Sequence, residues 1–280
     1  MDSAARITAD ALSKQTGVPV IVENVPGAGT TIGAARVAQA APDGYTIFWG
    51  SSSLAIVPHI MKNLRFDPVQ SFKPVGMVAD SPFVLVANPN KGYSDIREFI
   101  FKAKERGDKT NFSSPGIGSS PHLVGELFNA ETGIKATHIP YASGAQAVTS
   151  VVGGDVDFTF DPPTTVVPLV KGGKLRALAV TSNERWKDLP DVPTLNEAGF
   201  SQIDVTAWMG LLAPAETKDD VVTYLNQQLQ AALQEPRVIE TLAKAGLMAR
   251  PSTPEQFGAR IAGDSKRWGD LVKATGISVQ

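Results

Sequence analysis

Apolar positions along this chain fall into two rhythms that alternate. Ala4, Ala5, Ile7, Ala11 and Leu12 cluster near one face of a helix, with polar residues between them. Val18–Val22 is a short β-rich apolar run and reads as a strand. A Gly-rich turn, Pro26-Gly27-Ala28-Gly29, follows, then a small-residue helix over Thr31–Ala41 and a break at Asp43-Gly44. Tyr45–Trp49 is the next strand, so the order predicts a βαβ unit in a parallel or mixed sheet. The same order recurs with strand Thr110–Ser113, turn Pro115-Gly116-Ile117-Gly118, helix Pro121–Thr132 and strand Ala136–Ile139.

Two apolar strands read as crossings between lobes: Phe83–Ala87, which stops at Asn88-Pro89, and Trp208–Ala213, which stops at Pro214. Between them lies a domain-sized insertion with its own βα pattern. The expected lobes are 1–88 with 214–280, and 89–213, joined by a hinge of two crossing strands. The tail is helical. Thr217 is placed to cap a helix striped by Val221, Val222, Leu225, Leu229 and Leu233. Pro236 divides it from a second stripe, and Phe257, Ile261, Trp268 and Leu271 mark a last amphipathic helix.

With 42% hydrophobic and 19% charged residues over 280 positions, the composition is that of a globular protein. A net charge of −2 offers no basic surplus for nucleic acid or an anionic membrane. No apolar stretch reaches the roughly 18 residues of a membrane span, and no basic, then apolar, signal sequence opens the chain. The absence of cysteine excludes disulfides, thiolate metal sites and cysteine nucleophiles.

Several constellations invite chemistry and fail on spacing. Gly27, Gly29 and Gly33 are spaced G-x-G-x-x-x-G, and Ile47-Phe48-Trp49 stands where a ribose-binding acid belongs, which favours a tight turn over a dinucleotide site. Ser119, Ser120, His122 and Asp161 hold the letters of a catalytic triad, but no G-x-S-x-G elbow surrounds either serine, and both precede Pro121 as helix caps do. His59, His122 and His138 are too dispersed for a metal; only His122 and Glu126 share a helical spacing. Neither a cofactor nor a metal is expected. More telling are small polar groups at strand ends: Gly50-Ser51-Ser52-Ser53, Gly116–Ser120, Tyr141-Ala142-Ser143-Gly144 and Asp161. Each alone is an ordinary turn or cap. Together they form the kind of edge where α/β folds bind anions on helix N-termini.

Longer phrases sharpen this. Glu23-Asn24-Val25-Pro26-Gly27-Ala28-Gly29 runs into Ile32-Gly33-Ala34 and Ala41-Pro42-Asp43-Gly44-Tyr45-Thr46. Gly118-Ser119-Ser120-Pro121-His122-Leu123, His138-Ile139-Pro140-Tyr141 and Gly153-Gly154-Asp155-Val156-Asp157 follow. Gly172-Gly173-Lys174-Leu175-Arg176-Ala177-Leu178-Ala179-Val180-Thr181 and Leu189-Pro190-Asp191-Val192-Pro193-Thr194 complete the set. From Asp2 onward the chain resembles the substrate-binding proteins of the tripartite tricarboxylate transporter family, the Bug or TctC-like proteins.

That resemblance implies an α/β, two-lobed periplasmic-binding-protein fold of the type II, Venus-flytrap kind. It implies a periplasmic receptor, not an enzyme, that holds a small mono- or dicarboxylate, aromatic acids included, and passes it to membrane transporter subunits. Carried over, it puts Ser51, Ser52, Gly118, Ser119, Ser120, His122, Tyr141, Ser143, Gly144 and Asp161 around the ligand. Two other readings share the fold: a transferase-like enzyme and a ligand-sensing partner of a membrane kinase. The enzyme needs a nucleophile, and those four segments contain neither cysteine nor lysine. The family also opens with a strand and a Pro-Gly-Gly-x-x-Asp-x-x-Ala-Arg loop, of which Asp2-Ser3-Ala4-Ala5-Arg6 matches only the end. The expectation is therefore a shortened chain, with an empty slot or a substitute strand between Val18–Val22 and Tyr45–Trp49.

Overall fold

A computed structural model describes the chain except residues 26–30, 62, 63, 65 and 278–280. Along the chain run α1 (Asp2–Thr16), α2 (Thr31–Ala38), β1 (Phe48–Ser51), α3 (Ser53–Ile60), β2 (Phe72–Pro82), β3 (Val84–Ala87) and α4 (Ile96–Arg106). Then come β4 (Asn111–Ser114), α5 (Ser120–Thr132), β5 (Thr137–Pro140), α6 (Gly144–Gly153), β6 (Phe158–Asp161), α7 (Pro163–Lys171) and β7 (Arg176–Val180). The chain closes with β8 (Thr206–Pro214), α8 (Asp219–Gln234), α9 (Pro236–Lys244), β9 (Met248–Ala249) and α10 (Pro254–Thr275). Two compact units result: Met1–Asp80 with Trp208–Val272, and Ser81–Ala207 with residues 273–277 of those described. The chain passes between them inside β2 and inside β8, and once more near the end of α10.

The first unit carries a four-stranded sheet in the order β1-β8-β2-β9. Val75, Val78 and Ala79 of β2 and Leu211 and Ala213 of β8 pack with Ala4, Ala11 and Leu12 of α1, Val222, Leu229 and Leu233 of α8, and Val238 and Leu242 of α9. Helix α1 stops at Gly17, whose φ of 71° is the left-handed conformation that glycine adopts without a Cβ penalty.

Three expectations in this unit are corrected. Val18–Val22 is not a strand: the Val18 N–H donates to the Thr16 hydroxyl at 3.2 Å and the Val20 N–H to the Ser13 hydroxyl at 2.8 Å. Pro19 has no N–H, so the end of α1 uses the donors a ladder would need. With that strand goes the first βαβ unit, whose glycine turn, Gly27 and Gly29 included, lies outside the described residues. The next strand also starts later than its pattern: the Tyr45 N–H turns back onto Asp43 Oδ1 at 3.0 Å, and the ladder with β8 begins at Phe48. Thr217 does not cap α8. The cap position is Lys218, without a side-chain bond, and Lys73 of β2 instead donates to the Thr217 carbonyl at 2.9 Å and pairs with Asp219.

The second unit carries a five-stranded sheet, β5-β4-β6-β3-β7. Strands β4, β5 and β6 are parallel, so β4–α5–β5 is the βαβ unit its pattern predicts, while β3 runs antiparallel to β6 and β7. One face is closed by phenylalanines. Phe158 lies 5.2 Å from Phe99, 5.5 Å from Phe112 and 6.0 Å from Phe128, ring centre to ring centre. Gly125 in α5 admits the Phe112 ring: a Cβ there would stand 2.2 Å from Phe112 Cε2.

Candidate functional site

In the second unit three parallel strands end side by side, and a helix follows each. Ser114 closes β4, Pro140 closes β5 and Asp161 closes β6; α5, α6 and α7 start within a few residues. Their free N–H groups and aligned dipoles make this edge of the sheet favourable to an anion. Gly116 at φ 121° and Gly118 at φ 78° let the loop before α5 fold tightly over the strand end. Its neighbour, the loop before α6, is tied on where the Tyr141 N–H donates to the Ser114 carbonyl at 2.9 Å.

Within the first loop the Ser119 hydroxyl donates to the Gly116 carbonyl at 2.7 Å and accepts the His122 N–H at 3.4 Å. Ser119 is thus the N-cap of α5, as its place before Pro121 predicts, and Ser120 opens the helix. In the second loop Ser143 caps α6 by accepting the Gln146 N–H at 3.3 Å, which leaves the Gly144 and Ala145 N–H groups to an outside acceptor.

His122 is buried, with its ring among groups of its own unit. Nδ1 accepts the Gly118 N–H at 3.0 Å, and Nε2 lies 3.6 Å from Glu126 Oε1. It therefore secures the glycine loop from within the second unit. Sequence reasoning missed its companion. The His138 ring stacks on His122 at 3.9 Å, and His138 Nε2 meets the Ser114 hydroxyl at 2.7 Å. Ser114 also accepts the Gly116 N–H at 3.1 Å, so His138, Ser114 and the glycine loop form one network. Burial, then the neighbouring His122, depress the His138 imidazole to about 4. The signal available was register: His138 stands opposite Phe112, two residues before Ser114 on the same strand face.

Asp161 is 4% exposed, and its carboxyl bonds to the Thr165 side chain, a partner the sequence reading did not name. One carboxylate oxygen lies 3.7 Å from where a Cβ on Gly144 would stand, against the start of α6. Among the described residues no lysine, arginine or histidine pairs with it, and burial pushes the carboxyl up to about 6. Gly118, Ser119, Ser120, Tyr141, Ser143, Gly144 and Asp161 thus all belong to this one end of the second sheet.

Ser51 and Ser52 lie in the first unit. Ser51 ends β1, buried, with its hydroxyl 2.7 Å from that of Ser53. The Ser52 N–H donates to the Trp208 carbonyl of β8 at 3.1 Å, and its side chain makes no capping bond to α3. Among the described residues no cluster of histidines and carboxylates could hold a metal, and no helix is long and apolar enough to cross a membrane.

Two α/β units with strand-end loops that present helix N-termini define a two-lobed solute-binding protein of the periplasmic type. Residues 4–277 match the model of the tripartite tricarboxylate transporter family receptor, and the chain belongs to that family. It is 34% identical to Protein BugT of Bordetella pertussis over 281 residues, all of this chain and 86% of that one. The structure of the periplasmic binding protein BugD is similar at TM-score 0.77 and 34% identity, over 100% of this chain and 94% of that chain. MatC from Rhodopseudomonas palustris with bound malate matches at TM-score 0.76 and 32% identity, over 97% of this chain and 94% of the other.

Proposed function

We propose that this chain is a periplasmic receptor that captures a small organic carboxylate, without converting it, and hands it to the membrane subunits of a tripartite tricarboxylate-type transporter. The observation that carries the reading is the strand-end edge of the second unit, where the Gly116–Ser120 loop and the start of α6 lie together. A carboxylate there would meet backbone N–H groups and helix dipoles, each favourable contact worth about 0.3–1 kcal/mol and more when partly buried. Malate in the related MatC supports carboxylates as the ligand class.

Calorimetry of the full chain against a panel of mono- and dicarboxylates, aromatic acids included, tests the reading. At least one acid is expected to bind and to raise the melting temperature, because a ligand that binds only the native state stabilises it by about 2.7 kcal/mol at a hundred times Kd. Ser119→Ala, which uncaps α5 and frees the Gly116 carbonyl, is expected to weaken that acid about fivefold, as loss of a cap worth ~1 kcal/mol would. An affinity unchanged in Ser119→Ala removes this loop from the site, and a panel without a single binder overturns the function.

A further inference from the structure

Asp161 poses a question that the carboxylate reading leaves open. An ionised carboxylate beside an anion-binding helix start repels the acid that the site is built to hold. Asp161 is nevertheless 4% exposed at the end of β6, with one oxygen against Gly144 at the opening of α6. A structural explanation is that it serves the N-terminus of α7, where Thr165 meets it. That service is incomplete: the Thr165 hydrogen bond lowers its pKa, yet burial outweighs it and the net shift is upward. A buried carboxylate with no cation among the described residues has acceptor capacity left over, and each of its oxygens can take more than one hydrogen bond.

We propose that Asp161 is a specificity-determining residue that accepts a hydrogen bond from the ligand, so that the acid this receptor selects carries a hydroxyl or ammonium group close to its carboxylate. The inference rests on the carboxylate reading above and narrows it. The spacing follows from the fold. A ligand carboxylate on the Gly144 and Ala145 N–H groups sits about 3 Å from them, and Asp161 borders Gly144, the first of the two. A donor on the first or second carbon from that carboxylate spans such a gap; one at the far end of a long chain does not. An unsubstituted acid satisfies the helix start but leaves the remaining acceptor capacity of a dehydrated Asp161 unmet, and sites built to bond a donor discriminate strongly against ligands that lack it.

The test is calorimetry with acids matched in length and differing only in the donor: lactate with propionate, malate and aspartate with succinate, glutamate with glutarate, mandelate with phenylacetate. In the pair that binds, the donor-bearing acid is expected to bind at least tenfold tighter. Asp161→Leu, which puts two methyl groups in place of the carboxylate oxygens and so removes the acceptor, is expected to bring the two within about threefold of each other. Asp161→Asn separates the donors and serves as the second variant should the leucine form not fold. Its amide oxygen still accepts from a hydroxyl but no longer balances an ammonium, so preference for a hydroxy acid survives and preference for an amino acid is lost. Equal affinity within the pair that binds, or a preference that persists in Asp161→Leu, overturns the inference while leaving the carboxylate function standing. If no acid of either kind binds, the function itself fails, and this inference with it.

Discussion

Asp161 and His138 are displaced in opposite senses, and their effects on stability oppose each other over the same pH range. The Asp161 carboxyl, raised from 3.8 to about 6, binds a proton more tightly in the native state than in the unfolded chain. Its contribution to stability therefore falls as pH rises from about 4 to about 6, by up to about 3 kcal/mol. His138, depressed from 6.5 to about 4, binds its proton less tightly when folded, so stability is lost as pH falls through the same interval. In the ligand-free protein Asp161→Asn is expected to raise the melting temperature at pH 8 by several degrees and to change it little at pH 3.5. His138→Asn should remove the acid loss between about pH 6.5 and 4. Calorimetric melting of both variants across pH 3.5–8 checks the pair; a uniform shift at all pH values would place the effect in packing. The capping places of Ser119 and Ser143 were legible because each is adjacent in sequence to the helix it caps. The Ser114–His138 bond was not, because it exists only once β4 and β5 lie in register, which no local pattern specifies.

At the scale of elements, patterns were read correctly where packing repays them. The β4–α5–β5 unit, the α6 start and the tail helices follow their apolar stripes closely, since each buries a face against a sheet or another helix. Val18–Val22 shows the limit: β-branched residues describe a chain that suits a ladder, not one that has a partner, and here helix side chains take its N–H groups. Helix α5 also depends on a residue whose small size looks expendable. Gly125→Ala would gain up to about 1 kcal/mol of helix propensity. Its Cβ would stand 2.2 Å from the Phe112 ring, and overpacking of that kind costs about 1–3 kcal/mol. A net loss of stability is expected in denaturant titration. Because Phe112 also packs 5.0 Å from His138, carboxylate affinity should fall with it. Full stability and affinity in Gly125→Ala would show that the ring moves aside without cost.

For the whole molecule, family and fold were readable from phrases spread over the entire chain, whereas the passages between units were less so. The passage inside β8 falls at the start of the apolar run Trp208–Ala213, but the first passage lies at Asp80–Ser81 in β2, ahead of the Phe83–Ala87 run expected to carry it, and the passage near the end of α10 left no mark in the helix's stripe. The interruption of the first unit by 81–207 bears on how the protein is made. Synthesis from the N-terminus delivers β1 and β2 early, but β8, which lies between them in the sheet, emerges only after the whole of 81–207. The second unit's strands are by then all present, and they pair over much shorter separations. Hydrogen-exchange pulse labelling during refolding is therefore expected to protect amides of β4 and β6 before those of β1. The reverse order would show that the early strands find a partner without β8. Until β8 arrives, β1 lacks the strand it pairs with in the finished sheet, and an unpaired strand of this kind is the form in which a nascent chain aggregates. A chaperone that holds the emerging polypeptide would have its longest task here, for the interval in which the ribosome reads through 81–207.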